Sequence, residues 1–230
     1  MLFRSPGEVE ALEAAGEFEG MFATLMERRL EAWLTLADAR LRPAGTPLFL
    51  MLGNDDPVSL RPLLDAAPWG THAEGKVVML DDVHEMMSWG YSNITPWHSH
   101  REQTEEQLAT TLHDLGSKLS DAERAVVNVH VPPFGTQLDE APVLDKDLRV
   151  VQVMGQVKFA PVGSTAVRDF LVEKQPLLGL HGHIHESAGI RRLGRTIAIN
   201  PGSDYATGAL HGALVTLEDG RVKAHQLVRG

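Results

Sequence analysis

The chemistry of this chain gathers at His181-Gly182-His183-Ile184-His185, which follows the apolar run Pro176-Leu177-Leu178-Gly179-Leu180. Neutral imidazole is the commonest protein metal ligand. On an extended segment, residues two apart project to the same side, so His183 and His185 are expected to face one point, with Gly182 letting the backbone crowd it. Two further apolar runs end on possible ligands. Pro47–Leu52 leads into Gly53-Asn54-Asp55-Asp56, and Ala125–Val131 carries His130 just before Pro132-Pro133. Taken singly, Gly-Asn-Asp is a turn and a histidine before Pro-Pro is a packing residue. Together, at three strand ends, they point to a metal centre. The chain has no cysteine, so the donors must be imidazole, amide and carboxylate, a set that suits Zn, Mn or Fe.

Those ligands need elements to hold them. Helices are predicted over Glu8–Leu41 (with breaks near Gly16 and Gly20), Ser59–Leu64, Thr104–Leu119 and Ala166–Lys174. The basis is apolar residues recurring on one face, as with Leu108, Leu112 and Leu115. Strands are predicted over Pro47–Leu52, Lys76–Leu80, Met86–Ser92, Ala125–Val131, Pro176–Leu180 and Thr196–Ile199. A closing hairpin runs from Gly208–Leu217 to Arg221–Val228. Phe134–Pro161 is an irregular stretch long enough to be a functional loop. Met86, Met87, Trp89 and Tyr91 are read as strand packing. The alternation implies an α/β fold with mixed β-sheets flanked by helices, in a single domain over 1–230. Within it, 1–46 form a helical lead-in and 47–230 the core that bears the motifs.

Composition excludes several classes. There are 21 basic and 31 acidic residues, a net charge of −10, which argues against general nucleic-acid binding. No apolar run reaches membrane-spanning length and no signal-peptide pattern opens the chain, so a cytoplasmic location is expected and no membrane partner. The oligomeric state is not legible.

The series Gly53-Asn54-Asp55-Asp56, Val129-His130-Val131-Pro132-Pro133 and Gly182-His183-Ile184-His185 resembles the later motifs of the calcineurin-like metallophosphoesterases, and within them the small prokaryotic branch of predicted phosphoesterases. Thr95-Pro96-Trp97, Pro133-Phe134-Gly135-Thr136, Val162-Gly163-Ser164 and Asn200-Pro201-Gly202-Ser203 are similar to segments of that branch. The resemblance runs from about residue 47 to the end. It implies the family's sandwich of mixed sheets flanked by helices and a dinuclear centre of divalent ions (Mn, Fe or Zn) that activates water against a phosphate mono- or diester. It further implies that Asn54, His130 and His183 bind one ion and His185 the other. A small phosphate ester would be the substrate.

Two departures from the family follow. Many members have a histidine after the asparagine, where Asp55 stands here. Asp55 would act as a general acid only if burial or the like charge of Asp56 raised its pKa; orienting a ligand or water is the alternative. His98 and His100 are further candidates, against a reading as exposed loop residues. The family's opening Asp-x-His and Gly-Asp motifs have no counterpart before residue 47. The resemblance therefore predicts a C-terminal part of a longer enzyme, N-terminally incomplete, with a partial two-metal site and little turnover of its own. A binding or scaffold protein that kept the fold without the chemistry is the alternative. His181 is assigned a place beneath the site. Gly163-Ser164, ahead of a helix, offers N–H groups to a phosphate, or Ser164 is simply its N-cap. Asn200-Pro201-Gly202-Ser203 is expected to pack near the metal-binding loops.

Overall fold

A computed structural model describes residues 18–230; the part of the predicted first helix before residue 18 lies outside them. The chain divides into two compact units. One comprises the described residues up to Leu50 together with Pro57–His72, and the other Met51–Asp56 with Ala73–Gly230.

In the first unit, helix α1 (Phe18–Leu41) ends before the turn at Arg42–Gly45. Of its apolar positions, Leu34 and Ala37 are buried, while Trp33 and Leu36 are exposed. Strand β1 (Leu48–Leu50) pairs in parallel with β2 (Gly70–His72). A 3-10 turn (Val58–Leu60) and helix α2 (Arg61–Asp65) lie between them in sequence. The Trp69 indole donates to Thr46 O at 2.7 Å, and His72 Nδ1 lies 2.7 Å from Asp65 Oδ1. The sequence had no signal for β2: Gly-Thr-His carries no apolar alternation.

The second unit is built on a six-stranded mixed sheet. Its strands are β3 (Val77–Met79), β4 (Glu85–Trp89), β7 (Val126–Val129), β12 (Leu178–Leu180), β13 (Gly189–Leu193) and β14 (Thr196–Asn200). The spatial order is β13-β14-β12-β7-β4-β3. The four central strands run parallel, and β3 and β13 pair antiparallel at the two edges. Helices α3 (Glu105–Gly116) and α4 (Thr165–Lys174) supply Leu112, Leu115, Val167, Phe170 and Leu171 to one core with Met87, Val127, Val129 and Val131. This is the mixed α/β arrangement the alternation implied.

Local chemistry explains the helix starts. Thr104 and Gln107 form a reciprocal capping box at α3. Ser164 caps α4, accepting from Val167 N at 3.2 Å. Short pairs complete the unit: β5 (Ser92–Asn93) with β6 (Glu102–Gln103), β8 (Glu140–Pro142) with β11 (Phe159–Pro161), and β9 (Gln152–Val153) with β10 (Gln156–Val157). The stretch expected to be irregular is thus an antiparallel arm. The closing hairpin joins β15 (His211–Glu218) to β16 (Arg221–Arg229). Edge strand β13 was not foreseen, because Gly-Ile-Arg-Arg-Leu has too few apolar residues to read as a strand. No helix among the described residues is long and apolar enough to cross a membrane.

Candidate metal centre

In a parallel sheet, groups placed just past the carboxyl ends of adjacent strands converge. His130 follows β7 and His183 lies three residues beyond β12, its neighbour in the sheet. The ladder between the two strands runs past their ends, Gly182 N donating to His130 O at 2.9 Å. Their imidazoles stand edge to face, with centroids 5.2 Å apart.

Asn54 completes the group. Its Oδ1 lies 2.9 Å from His130 Nε2 and 3.0 Å from His183 Nδ1. The segment that carries it passes over the end of β4. A Cβ on Gly90 would lie 1.9 Å from Leu52 O, and one on Gly53 would lie 3.0 Å from His130 Cε1. Both glycines are there because backbone and imidazole occupy the space of a side chain. A Cβ on Gly182 would meet His130 only at 3.6 Å. The close approach anticipated at Gly182 is therefore made at Gly53 and Gly90.

The strand-phase argument for the His-x-His pair fails. β12 stops at Leu180, and Ile184 N donates to Gly182 O at 2.7 Å, closing a three-residue turn with His183 at φ +65°. That turn sends His183 to Asn54 while His185 is exposed, its ring edge-on to Tyr205 at 5.4 Å. A left-handed histidine at a cluster of polar side chains is the kind of strain that functional sites hold. The turn is backed by Asn200, whose Nδ2 donates to Ile184 O (2.8 Å) and Leu138 O (3.1 Å), and by Ser203 N donating to His185 O at 3.1 Å. The Asn200–Ser203 segment thus packs against the loop that carries His183 and His185.

The electrostatics suit neutral ligands. Burial, reinforced by the neighbouring His183 ring and the Arg101 guanidinium, pushes His130 down to about 3. Burial also pushes His183 down to about 4 against the opposing pull of Asp55 and Glu102. Both rings are uncharged at neutral pH, as a metal requires.

The donor set fits a cation. Two ligands at right angles on a divalent ion with bonds of about 2.1 Å lie about 3.0 Å apart, the spacing of the two nitrogens from the amide oxygen. Without an ion those nitrogens are placed to donate to Asn54 Oδ1. With one, each ring would carry its proton on the far nitrogen. Among the described residues no group of three or more His, Cys, Asp or Glu could hold a metal ion. The converging set is two imidazoles and an amide.

The other anticipated residues have defined places. Asp55 is exposed and its Oδ1 accepts from Asn54 Nδ2 at 2.9 Å. Asp56 Oδ2 accepts from Gly53 N at 2.6 Å, closing the loop, and desolvation raises its pKa. His181 turns away from the group, its Nδ1 2.9 Å from Val129 O, and burial pushes it down to about 4. Gly163 N donates to Asp139 Oδ2 at 3.1 Å, and Ser164 Oγ donates to Glu105 Oε2 at 2.7 Å while Ala166 N donates to the same oxygen at 2.8 Å. The anion expected at that helix start is thus the protein's own Glu105, and Ser164 acts as the N-cap.

Three residues that matter, Arg101, Ser99 and Glu102, went unread in the sequence. Arg101 is buried. It donates to Gly53 O at 3.1 Å, pairs with Glu74 and stacks over Tyr91 at 4.5 Å. It thereby fixes the Asn54 loop. Ser99 Oγ accepts from Asn54 Nδ2 at 2.8 Å and donates to Glu102 Oε1 at 2.7 Å. Nothing in Trp97-His98-Ser99-His100-Arg101-Glu102 announces this, because the contact spans 45 residues. His98 and His100 are exposed.

Comparison with known proteins bears on the fold. No family model matches the chain. Over 128 residues it is 30% identical to the uncharacterized protein MJ1162 of Methanocaldococcus jannaschii, a match covering 55% of this chain and 51% of that protein. The chain thus spans about half the length of the curated relative it matches. Among solved structures, TT1561 of Thermus thermophilus superposes with a TM-score of 0.57 at 15% identity, over 89% of this chain and 79% of that one. A second crystal structure superposes with a TM-score of 0.55 at 17% identity, over 88% and 76%. The chain shares its mixed α/β fold with these proteins.

Proposed function

We propose that this chain carries the metal-binding half-site of a phosphoesterase that hydrolyses a phosphate mono- or diester. The observation that carries the reading is the meeting of Asn54 Oδ1 with His130 Nε2 and His183 Nδ1 at 2.9 and 3.0 Å, just beyond the carboxyl ends of neighbouring parallel strands. These are the residues that the metallophosphoesterase resemblance assigns to one ion, brought from positions 54, 130 and 183. On this reading the six-stranded sheet is one layer of the calcineurin-like sandwich.

Asn54, His130 and His183 would hold a divalent ion, with Mn, Fe and Zn as candidates, and His185 would donate to a second. Such an ion supplies Lewis-acid polarisation of a phosphate oxygen and a water acidified enough to attack phosphorus. The chain's own residues do the rest. His130 and His183 offer neutral nitrogens at physiological pH. Arg101 and Asp56 clamp the loop that presents Asn54, so the amide oxygen needs no reorganisation when a cation enters. Asp55, exposed beside the group, would orient a ligand or water.

The test is Zn²⁺ or Mn²⁺ titration of the chain by calorimetry, paired with hydrolysis of p-nitrophenyl phosphate and bis-p-nitrophenyl phosphate, on this chain and on one extended upstream. Binding lost in His130→Ala and Asn54→Ala supports the reading. A chain that binds neither ion at millimolar concentration sinks it. An extended chain that binds ions but cleaves neither ester favours the scaffold alternative.

A further inference from the structure

We propose that Ser99 and Glu102 are positioning residues that decide which atom of Asn54 faces His130 and His183. The consequence for cation binding rests on the phosphoesterase reading above. The orientation itself does not.

An asparagine amide has two ends of similar size and opposite hydrogen-bonding character. With its oxygen toward the imidazoles it is a ligand; with its NH₂ toward them it is a barrier to any cation. Something outside the amide must choose. The choice begins at Glu102, whose carboxylate receives four bonds: from Thr95 N at 3.0 Å, Thr95 Oγ1 at 2.5 Å, Ser99 N at 2.9 Å and Ser99 Oγ at 2.7 Å. Two of the donors are backbone N–H groups, which cannot reverse. A carboxylate can only accept. Ser99 therefore spends its one hydroxyl proton on Glu102 and has only lone pairs left for Asn54. At 2.8 Å from Ser99 Oγ, the amide must present its NH₂. Asp55 Oδ1, 2.9 Å from the same nitrogen, reads it the same way. With both Nδ2 protons taken, Oδ1 is left to the two imidazoles.

The polarity runs one way along Glu102, Ser99, Asn54 and the imidazoles. No member can flip without two acceptors or two donors meeting head-on. Arg101 N donating to Asn54 O at 3.1 Å ties the same loop to the asparagine backbone, so the chain of bonds is held at both ends.

The experiment compares Ser99→Ala, Ser99→Thr, Glu102→Gln and Thr95→Val in the full chain. Thr95→Val removes one of the four Glu102 bonds but leaves the Ser99 hydroxyl its acceptor, and so controls for loop disorder. Two readouts are taken: Zn²⁺ affinity by chelator competition, and the ¹⁵N resonances of the Asn54 side-chain amide in the ion-free protein. Ser99→Ala and Glu102→Gln should weaken Zn²⁺ binding by about tenfold or more, the usual cost of losing a group that orients a ligand. They should also shift the Asn54 amide resonances. Ser99→Thr, which keeps the hydroxyl, should restore both, and Thr95→Val should leave both near the parent. Unchanged amide resonances in Ser99→Ala, or equal losses in Ser99→Ala and Thr95→Val, overturn the assignment. A parent chain that ignores Zn²⁺ would defeat the metal reading, and the amide resonances would still decide the relay.

Discussion

Gly90→Ala should dismantle the candidate site from a distance, while Gly182→Ala, inside the most conspicuous motif, should be tolerated. A Cβ on Gly90 would sit 1.9 Å from Leu52 O, and real Cβ atoms essentially never come closer than 3.0 Å to another heavy atom. The difference, 3.0 minus 1.9, requires a shift of at least 1.1 Å in backbone on one side or the other. Leu52 is two residues before Asn54, so the displacement reaches an amide oxygen whose contacts are 2.9 and 3.0 Å long. Stretched by that amount they are no longer hydrogen bonds. Forcing even one methyl into packed structure costs about 1–3 kcal/mol, and a backbone oxygen cannot swing aside as a side chain does. A misplacement of about 1 Å is the scale at which functional geometry loses about a hundredfold. At Gly182 the nearest atom is His130 Nδ1 at 3.6 Å, an ordinary contact, and the backbone is not left-handed. Urea unfolding and Zn²⁺ titration of the two variants check this. Equal behaviour of the two, or a Gly90→Ala protein within about 0.5 kcal/mol of the parent (the range of featureless surface changes), would refute the packing argument.

Other expectations follow from the same geometry. Desolvation holds His130, His181 and His183 down to about 3, 4 and 4, so they are neutral in the folded chain, yet they titrate near 6.5 once unfolded. The unfolded state then binds more protons below pH 6.5, so stability is level above that value and falls as pH drops toward 4. At pH 5 the loss is up to about 2 kcal/mol per histidine, which chemical denaturation in the presence of a chelator will read; equal stability at pH 5 and 7.5 would contradict it. Arg101→Met should destabilise by about 3–5 kcal/mol, the scale for removing one member of a buried ion pair, because it deletes the contacts to Glu74 and Gly53 O together. A melting temperature unchanged in that variant would show the pair to be idle. Gly163→Ala should also unfold the chain at lower denaturant, because its Cβ would lie 2.5 Å from Pro132 O; a midpoint equal to the parent's would rule out that contact.

What could be read in the sequence was what depends on one strand at a time. His130 and His183 announced themselves because each sits at the end of a short apolar run, and strand ends are where such folds place chemistry. Helix α3 was legible because Leu108, Leu112 and Leu115 recur on one face. Hidden from that reading were relations between segments. The tie from Asn54 to Ser99 crosses 45 residues and that from Gly163 to Asp139 crosses 24, and neither leaves a local pattern. The shared direction expected of His183 and His185 failed for a related reason. Period two holds only while the backbone stays extended, and the turn at Gly182–Ile184 ends it one residue before the side chain that matters. Ser164 illustrates an ambiguity that only coordinates resolve, since a helix start welcomes any anion and here Glu105 had already arrived.

The left-handed backbone at His183 narrows which replacements are informative. A β-branched substitute there, such as valine, would add a conformational penalty to the loss of the imidazole, and any deficit it caused would be ambiguous. Glycine, or asparagine, adopts that geometry readily. His183→Gly is therefore the cleaner deletion, relieving the turn while removing the ring. A more stable yet ion-blind variant at this position would measure how much folding energy the chain gives up to aim one side chain.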